Sequence, residues 1–213
     1  MKITHIVWDW NGTLFDDVDL GIRCVNQLLS RYGLEQVDKN RYYQVFGFPI
    51  SDYYKRLGFD FDKTPYPVLA KEYMDIYVPE SQKCSLRENA QQTVDALKEL
   101  GCKNIILSAS KREILLEQIN NCGLKNIDHV YGIDNIHASG KVDLAIKMRR
   151  DFKNANILFV GDTPHDKDAA DAAQAKCVFI SGGHIDGKKL AYYGVVLSGL
   201  KDVVDYVKRL EKN

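Results

Sequence analysis

Short β-branched and apolar runs alternate with stretches of helical periodicity along most of the chain. KITHIVWDW, KNIILSA, DHVYGI, ANILFVGD and KCVFISGG read as strands, with helix-like segments between the later ones. That alternation predicts an α/β fold, a doubly wound parallel sheet with helices on both faces. The pattern breaks after the first strand, where a long segment without strand character separates IVWDW from NIILSA. Four helices are expected in it. The first runs from Asp17 to Tyr32, with Leu20, Val25, Leu28 and Leu29 at helical spacing and Gly33 as its C-terminal stop. The others surround Asn40–Phe46, Ser51–Leu57 and Pro65–Tyr77, punctuated by Gly47, Pro49, Gly58 and Pro79. A helix from Asn89 to Leu100, closed by Gly101, returns the chain to the sheet. The expected division is therefore a core of residues 1–15 and 82–213 and a helical insertion of residues 16–81.

The insertion carries Tyr42, Tyr43, Phe46, Phe48, Tyr53, Tyr54, Phe59 and Phe61, a density that reads first as a helical core, because aromatics supply much of the buried area of a small domain. Composition narrows the partner. At 213 residues, with 45% hydrophobic and 27% charged positions, the chain has the makeup of a globular protein. Twenty-nine basic and 29 acidic residues balance, so no excess positive field favours nucleic acid or an anionic membrane, and a small molecule is the expected partner. No apolar stretch approaches the roughly 20 residues of a membrane span, and the chain starts directly on a strand without a signal-peptide pattern, so a cytoplasmic location is expected. Cys24, Cys84, Cys102, Cys122 and Cys177 are scattered and form no Cys-x-x-Cys pair, which fits reduced structural thiols.

Four separated pieces carry candidate chemistry: Asp9-Trp10-Asn11-Gly12-Thr13, Ser108 in IILSAS, Lys141 in ASGKVDLA, and Asp162 with Asp166 in FVGDTPHDKDAA. Each lies just past an apolar strand or at the start of a helix, and strand C-termini in an open parallel sheet converge on one crevice. A calcium loop does not fit Asp9-Trp10-Asn11-Gly12, because its glycine comes too early and Leu20 stands where the closing glutamate belongs. No Gly-x-Gly-x-x-Gly follows the first strand, which removes a dinucleotide site.

Taken in order, these pieces resemble the motifs of the haloacid dehalogenase-like hydrolase superfamily, and the tail SGGHID and FGFPISDYYKRLGFD resemble its phosphoglycolate phosphatase-like branch. The resemblance implies a Rossmann-like core with a helical cap domain inserted after the first strand. It implies a phosphatase that attacks a small phosphorylated metabolite through an aspartyl-phosphate on Asp9. A phosphomonoester resists attack by another anion, so a carboxylate nucleophile needs a divalent cation, and Mg2+ suits hard oxygen ligands. The implied metal ligands are Asp9, Asp162, Asp166 at the edge of the shell, and Asn11 through its backbone carbonyl. Asp168 is expected to face solvent. Ser108 and Lys141 would stabilise the transferring phosphoryl group, with Gly12, Thr13 and Ala109 completing its cradle. Gly12 also fits a tight turn that needs positive φ or close approach.

One departure matters. The superfamily's phosphatases carry Asp-x-Asp-Gly-Thr, whose second aspartate protonates the leaving oxygen and then activates water, and here that position is Asn11. An amide does neither, and general acid–base catalysis typically contributes about 10²–10⁴-fold. Three readings stay open: a slow phosphatase whose proton comes from water, His165 or a cap residue; a phosphate-binding or regulatory protein with little turnover; and another carboxylate-nucleophile phosphoryl transfer, for instance from an acyl phosphate. His165 reads first as solvated, His184 as near the crevice rim, and His5 as a packing residue. Asp16 and Asp17 are expected to cap the insertion's first helix. Lys55 and Arg56 read as exposed helix charges, with recognition of a substrate carboxylate as the alternative. The identity of the substrate and the oligomeric state are left open.

Overall fold

The computed structural model describes residues 2–134 and 140–212, so Ala138 and Ser139 of the ASGKVDLA segment lie outside the described residues. The chain forms two compact units, Met1–Asp16 with Ser85–Asn213, and Asp17–Cys84.

The chain enters the first unit with strand β1 (His5–Trp8) and then passes through the second unit as α1 (Val18–Arg31), α2 (Lys39–Val45), α3 (Ile50–Arg56) and α4 (Tyr66–Ser81). The first unit resumes with α5 (Ala90–Glu99), β2 (Lys103–Lys111), α6 (Arg112–Asn121), β3 (His129–Ile133), α7 (Lys141–Asp151), β4 (Ile157–Gly161), α8 (Pro164–Ala172), β5 (Lys176–Ile180), α9 (Gly187–Leu190), β6 (Val196–Leu197) and α10 (Asp202–Lys212). Its six strands form one sheet in the order β3-β2-β1-β4-β5-β6, every neighbouring pair parallel.

The central strands read as near-continuous apolar runs because helices cover both faces. Ile6, Val7 and Trp8 of β1 are fully buried, and all five residues of β4 are buried. Val7 pairs with Ile105 on one side and Phe159 on the other, and this row packs on Leu144, Met148 and Ala169 from α7 and α8. Trp8 needs a partner for its indole N–H, which donates to Asn104 Oδ1 at 3.0 Å, while Asn104 Nδ2 donates to the Val94 carbonyl at 3.1 Å. A buried amide is thereby satisfied at both ends.

In the second unit, one face of α1 supplies Val18, Ile22, Val25, Leu28 and Leu29 to a core closed by Tyr42, Tyr53, Tyr54, Phe59 and Leu69. The insertion's aromatics pack against one another, several edge to face: Tyr42 on Tyr53, Phe46 on Tyr53, Tyr53 on Tyr54. Tyr42, Tyr53, Tyr54 and Phe59 are core, as expected; Tyr43, Phe46 and Phe61 are partly buried against it, and Phe48 is half-buried. Lys55 is held by Asp52 at 3.8 Å and lies 5.6 Å from the Phe61 ring centre, while Arg56 Nε donates to the Val45 carbonyl at the end of α2. Both charges therefore have partners inside their own unit.

Three expectations are corrected. Asp17 stands at the N-terminus of α1 but makes no capping hydrogen bond; it is buried and its carboxylate accepts from Tyr77 Oη at 2.6 Å, while Asp16 is exposed. A buried hydroxyl–carboxylate bond outweighs a cap at a helix start that water can solvate. Helix α4 runs through Pro79 to Ser81, because a proline this close to the C-terminus sacrifices one internal bond of a turn that is ending. The sheet also gains β6, two residues long and too short to show alternation. Among the described residues, no helix is long and apolar enough to cross a membrane. All five cysteines are free thiols.

Candidate active site

Strand order creates the site. Strands β1 and β4 are sheet neighbours from opposite halves of the winding, so the loops leaving their C-terminal ends meet at the switch point of the sheet. Trp8 pairs with Val160, and the Asp9 N–H donates to the Val160 carbonyl at 2.9 Å, which sets Asp9 beside the Gly161-Asp162 turn. The carboxylates of Asp9, Asp162 and Asp166 are buried, and one oxygen from each lies within 4.8 Å of the others. Lys141, the first residue of α7, reaches in from the side: its Nζ is 2.5 Å from Asp9 Oδ1 and 2.5 Å from Asp166 Oδ1. Four residues from three distant stretches of sequence are thus brought together.

Each carboxylate is held by the backbone around it. Asp166 Oδ2 accepts from Thr163 N and Oγ1, both at 2.9 Å, and from Asp162 N at 3.1 Å, which ties the start of α8 to the turn after β4. Asp162 accepts from Thr13 Oγ1 at 2.9 Å and from His184 N at 2.6 Å, so the loop after β1 and the loop after β5 both grip it. The crowding explains three glycines. A Cβ on Gly161 would strike the Asp166 carboxylate, one on Gly183 the Asp162 side chain, and one on Gly12 both Asp162 and the His184 ring, in addition to facing φ +70° there. His184 thus lies beside the loop after β1, whereas His165 is half-buried in the first turn of α8, and burial lowers the pKa of its imidazole below the ordinary value. Asp168 is exposed, as expected.

The loop from Trp10 to Phe15 closes on itself. Thr13, Leu14 and Phe15 N–H groups all reach the Trp10 carbonyl, and Gly12 N donates to the Phe15 carbonyl at 3.1 Å. Gly12 and Thr13, expected to cradle phosphate with their amides, use those amides within the turn, and Thr13 acts on Asp162 through its hydroxyl. Ser108 is buried at the end of β2, where the pairing with β3 shifts register between Leu107 and Lys111. Its Oγ accepts from Ser110 N at 3.1 Å, a bond that leaves the hydroxyl hydrogen for another partner. Ala109 is exposed at this tip. Asn11 is half-buried, and its Oδ1 accepts from Ser110 Oγ at 3.0 Å.

Two contributors were not legible as site residues. Ser110 is one of two serines in LSAS, and nothing in the sequence distinguishes it from Ser108. Arg87 begins the return from the insertion; its guanidinium donates to the Gly12 carbonyl at 2.6 Å and the Ser181 carbonyl at 2.8 Å, joining the loop after β1 to the loop that carries His184. Contacts across 75 and 94 residues leave no local signal.

The electrostatics call for a further cation. Burial and then the Asp166 carboxylate push the Asp9 carboxyl well above the usual carboxylate range, against the pull of Lys141. Burial likewise raises Asp162, opposed by His184. Burial disfavours the Lys141 ammonium, yet Asp166 and Asp9 outweigh it and raise that group above its ordinary value. Three carboxylates against one ammonium leave two negative charges in a buried space when all are ionised (−3 + 1 = −2). A hard divalent cation matches both the charge and the all-oxygen donor set.

Comparison with known proteins agrees with this arrangement. The sequence model of the family "Haloacid dehalogenase-like hydrolase" matches residues 6–180. A provisionally named pyrophosphatase, PpaX, of Caldanaerobacter subterraneus subsp. tengcongensis is 25% identical over 193 residues, covering 84% of this chain and 82% of its own. Among solved structures, a haloacid dehalogenase-like family hydrolase of Streptococcus pneumoniae has a TM-score of 0.82 at 18% identity, covering 96% of this chain and 98% of its own. A predicted phosphoglycolate phosphatase of Haemophilus somnus has a TM-score of 0.76 at 17% identity, covering 97% and 98%. At these identities the two structures speak for the fold.

Proposed function

The chain belongs to the haloacid dehalogenase-like hydrolases, and from that premise we propose that it is a cytoplasmic, magnesium-dependent phosphatase that hydrolyses a small phosphorylated metabolite through a covalent aspartyl-phosphate on Asp9. The observation that carries the reading is the juxtaposition of Asp9 with Asp162, Asp166 and the Lys141 ammonium in one buried cluster. The inserted helical unit of residues 17–84 is assigned the part of the cap.

An Asp9 carboxylate oxygen attacks phosphorus, the bond from phosphorus to the leaving oxygen breaks, and its electron pair departs with that oxygen. Lys141 lowers the repulsion between Asp9 and the incoming anion, and the Ser108 hydroxyl donates to an oxygen of the transferring group. Asp166 keeps Lys141 aimed at Asp9. Water then attacks the acyl phosphate, releasing inorganic phosphate and restoring Asp9. Magnesium, held by Asp9, Asp162 and the Asn11 backbone carbonyl with Asp166 behind them, supplies when bound the positive charge that lets two anions meet.

Phosphoglycolate and pyrophosphate, which the names of relatives carry, lead the panel of substrates. Release of inorganic phosphate is measured with magnesium and with chelator, in the native chain and in Asp9→Asn. Magnesium-dependent release that disappears in Asp9→Asn supports the proposal, and undiminished release from that variant refutes it. Asn11 supports a second reading, a phosphate-binding protein with little turnover; tight magnesium-dependent binding of a phosphate analogue without phosphate release on any substrate would favour it.

A further inference from the structure

We infer that this site is built for activated phosphoryl donors, namely acyl phosphates and phosphoric anhydrides, rather than for alkyl phosphomonoesters. The inference rests on the phosphatase reading and names its substrate class. An alkoxide is a poor leaving group, so cleavage of an alkyl phosphate needs a proton delivered to the departing oxygen. Within the first unit, the carboxylates and the ammonium gathered at the site already have tasks, which leaves the His184 imidazole beside Gly12 as the group the test must remove. Asp9 is the attacking group and has one oxygen against Lys141. Both oxygens of Asp162 accept hydrogen bonds, from Thr13 Oγ1 and His184 N. Asp166 receives Lys141 on one oxygen and three donors on the other. Lys141 is gripped by two carboxylates and is a poor proton donor.

Two residues after Asp9 stands an amide, Asn11, half-buried, whose carbonyl oxygen takes the Ser110 hydroxyl at 3.0 Å. Neither an amide nor an alkyl hydroxyl releases a proton in the neutral range. A carboxylate or hydrogen phosphate, by contrast, departs as a stable anion. Asp9 forms its bond to phosphorus, the bond to the leaving oxygen breaks with its electron pair, and the proton count is unchanged. The second step is different. Water attacking the phosphorylated Asp9 must lose a proton; an amide does not accept it, so the proton leaves slowly, on the released phosphate or to bulk water, and phosphorylated enzyme accumulates. Leaving-group dependence then appears in kcat/KM, which reports the first step, while kcat is set by a second step common to all good donors.

The test uses acetyl phosphate, pyrophosphate, glycerol phosphate and a graded series of aryl phosphates with magnesium, in the native chain, Asn11→Asp and Ser110→Ala. The native chain is expected to lose kcat/KM steeply as leaving-group basicity rises, to keep nearly one kcat among good donors, and to show a burst stoichiometric with enzyme. Asn11→Asp is expected to raise kcat/KM on glycerol phosphate by about 10²–10⁴-fold, to change acetyl phosphate by no more than about tenfold, and to remove the burst. Ser110→Ala removes a hydrogen bond without adding an acid and is expected to keep the steep slope, which separates the effect from simple disturbance of the loop. A native chain that cleaves glycerol phosphate as readily as acetyl phosphate overturns the inference and leaves the phosphatase reading standing. A shallow native slope that steepens in His184→Gln assigns the proton to that imidazole and overturns it equally. Silence on every substrate, with no burst, overturns both.

Discussion

Replacing Lys141 with methionine isolates the electrostatic core of the site. The substitution keeps side-chain length and removes the one ammonium that stands between Asp9 and Asp166, 2.5 Å from an oxygen of each, with 8% of its side chain exposed. At an effective dielectric constant near 20, a pair of unit charges about 4 Å apart is worth roughly 4 kcal/mol. The two contacts together contribute about twice that, and dehydration of the ammonium offsets several kcal/mol. Truncating one partner of such a buried pair costs about 3–5 kcal/mol, because charge is left behind uncompensated. The expected result in chelator at neutral pH is a loss of stability of that size in urea unfolding. The remaining carboxylates relieve themselves by binding a proton or a dication. Asp9 is already raised by burial in the native fold and rises further without Lys141. A carboxyl raised in the folded state holds its proton where the unfolded chain has released it, so its stabilisation is present at low pH and is lost as pH rises through the raised value. The deficit of Lys141→Met should therefore shrink on acidification, and magnesium at about 100 times its dissociation constant should return roughly 2.7 kcal/mol. A variant that matches the native chain in chelator, or whose deficit ignores both pH and magnesium, would refute this account of the cluster.

Three further outcomes follow from particular contacts. Gly183→Ala places a methyl group against the Asp162 side chain and should cost about 1–3 kcal/mol while weakening magnesium binding by calorimetry; Gly199→Ala, with nothing within 4 Å of the new methyl, should change neither. Arg87→Met removes two charge-assisted hydrogen bonds, to the Gly12 and Ser181 carbonyls, each worth about 1.5–3 kcal/mol at most, and should lower kcat more than it raises KM, with Arg87→Lys recovering only part; an unchanged kcat would mean the clamp is merely structural. His5 sits 4.9 Å from the Phe152 ring, its Nε2 buried without a partner, and burial followed by Lys103 lowers its pKa below 6.5. The unfolded chain then binds the proton more readily, so stability falls as pH drops through and below 6.5; His5→Phe should flatten the profile below pH 6.5, and an unaltered slope would assign it elsewhere.

What the sequence revealed and what it hid divide along a physical line. Strands β1 to β5 and the insertion's helices were legible because burial imposes a period on neighbouring residues, and that period is local. The glycine at position 12 was legible for a related reason, since a strand that must turn at once leaves few residue types available. Asp9, Asp162 and Asp166 stood out because they lie just past an apolar strand or at the start of a helix, in the order of the motifs the chain resembles. The compensation itself was hidden. Nothing within the segment around Asp17 announces Tyr77, 60 residues on, so a buried acid passed for a helix cap. Nothing near Arg87 names the two carbonyls it bridges, and nothing in LSAS shows that the second serine faces Asn11, 99 residues earlier.

If the site is that of a phosphatase, the hidden contacts are also the ones that decide what it cleaves. An aspartate at position 9 and a lysine at 141 establish that charge can be gathered, which is common ground for many phosphoryl-transfer reactions. The rate at which a given ester is cleaved depends instead on whether a proton reaches the departing oxygen, and we infer that this turns on the Asn11 amide and its Ser110 hydroxyl. A one-atom change, amide nitrogen for carboxylate oxygen, leaves size and hydrogen-bonding reach almost intact while deleting an acid worth about 3–5 kcal/mol of barrier. Folding has no means of registering that loss, because a half-buried amide with a hydroxyl partner is as well satisfied as a carboxylate would be. The substrate series therefore reads directly whether residue 11 sets the leaving group the site accepts.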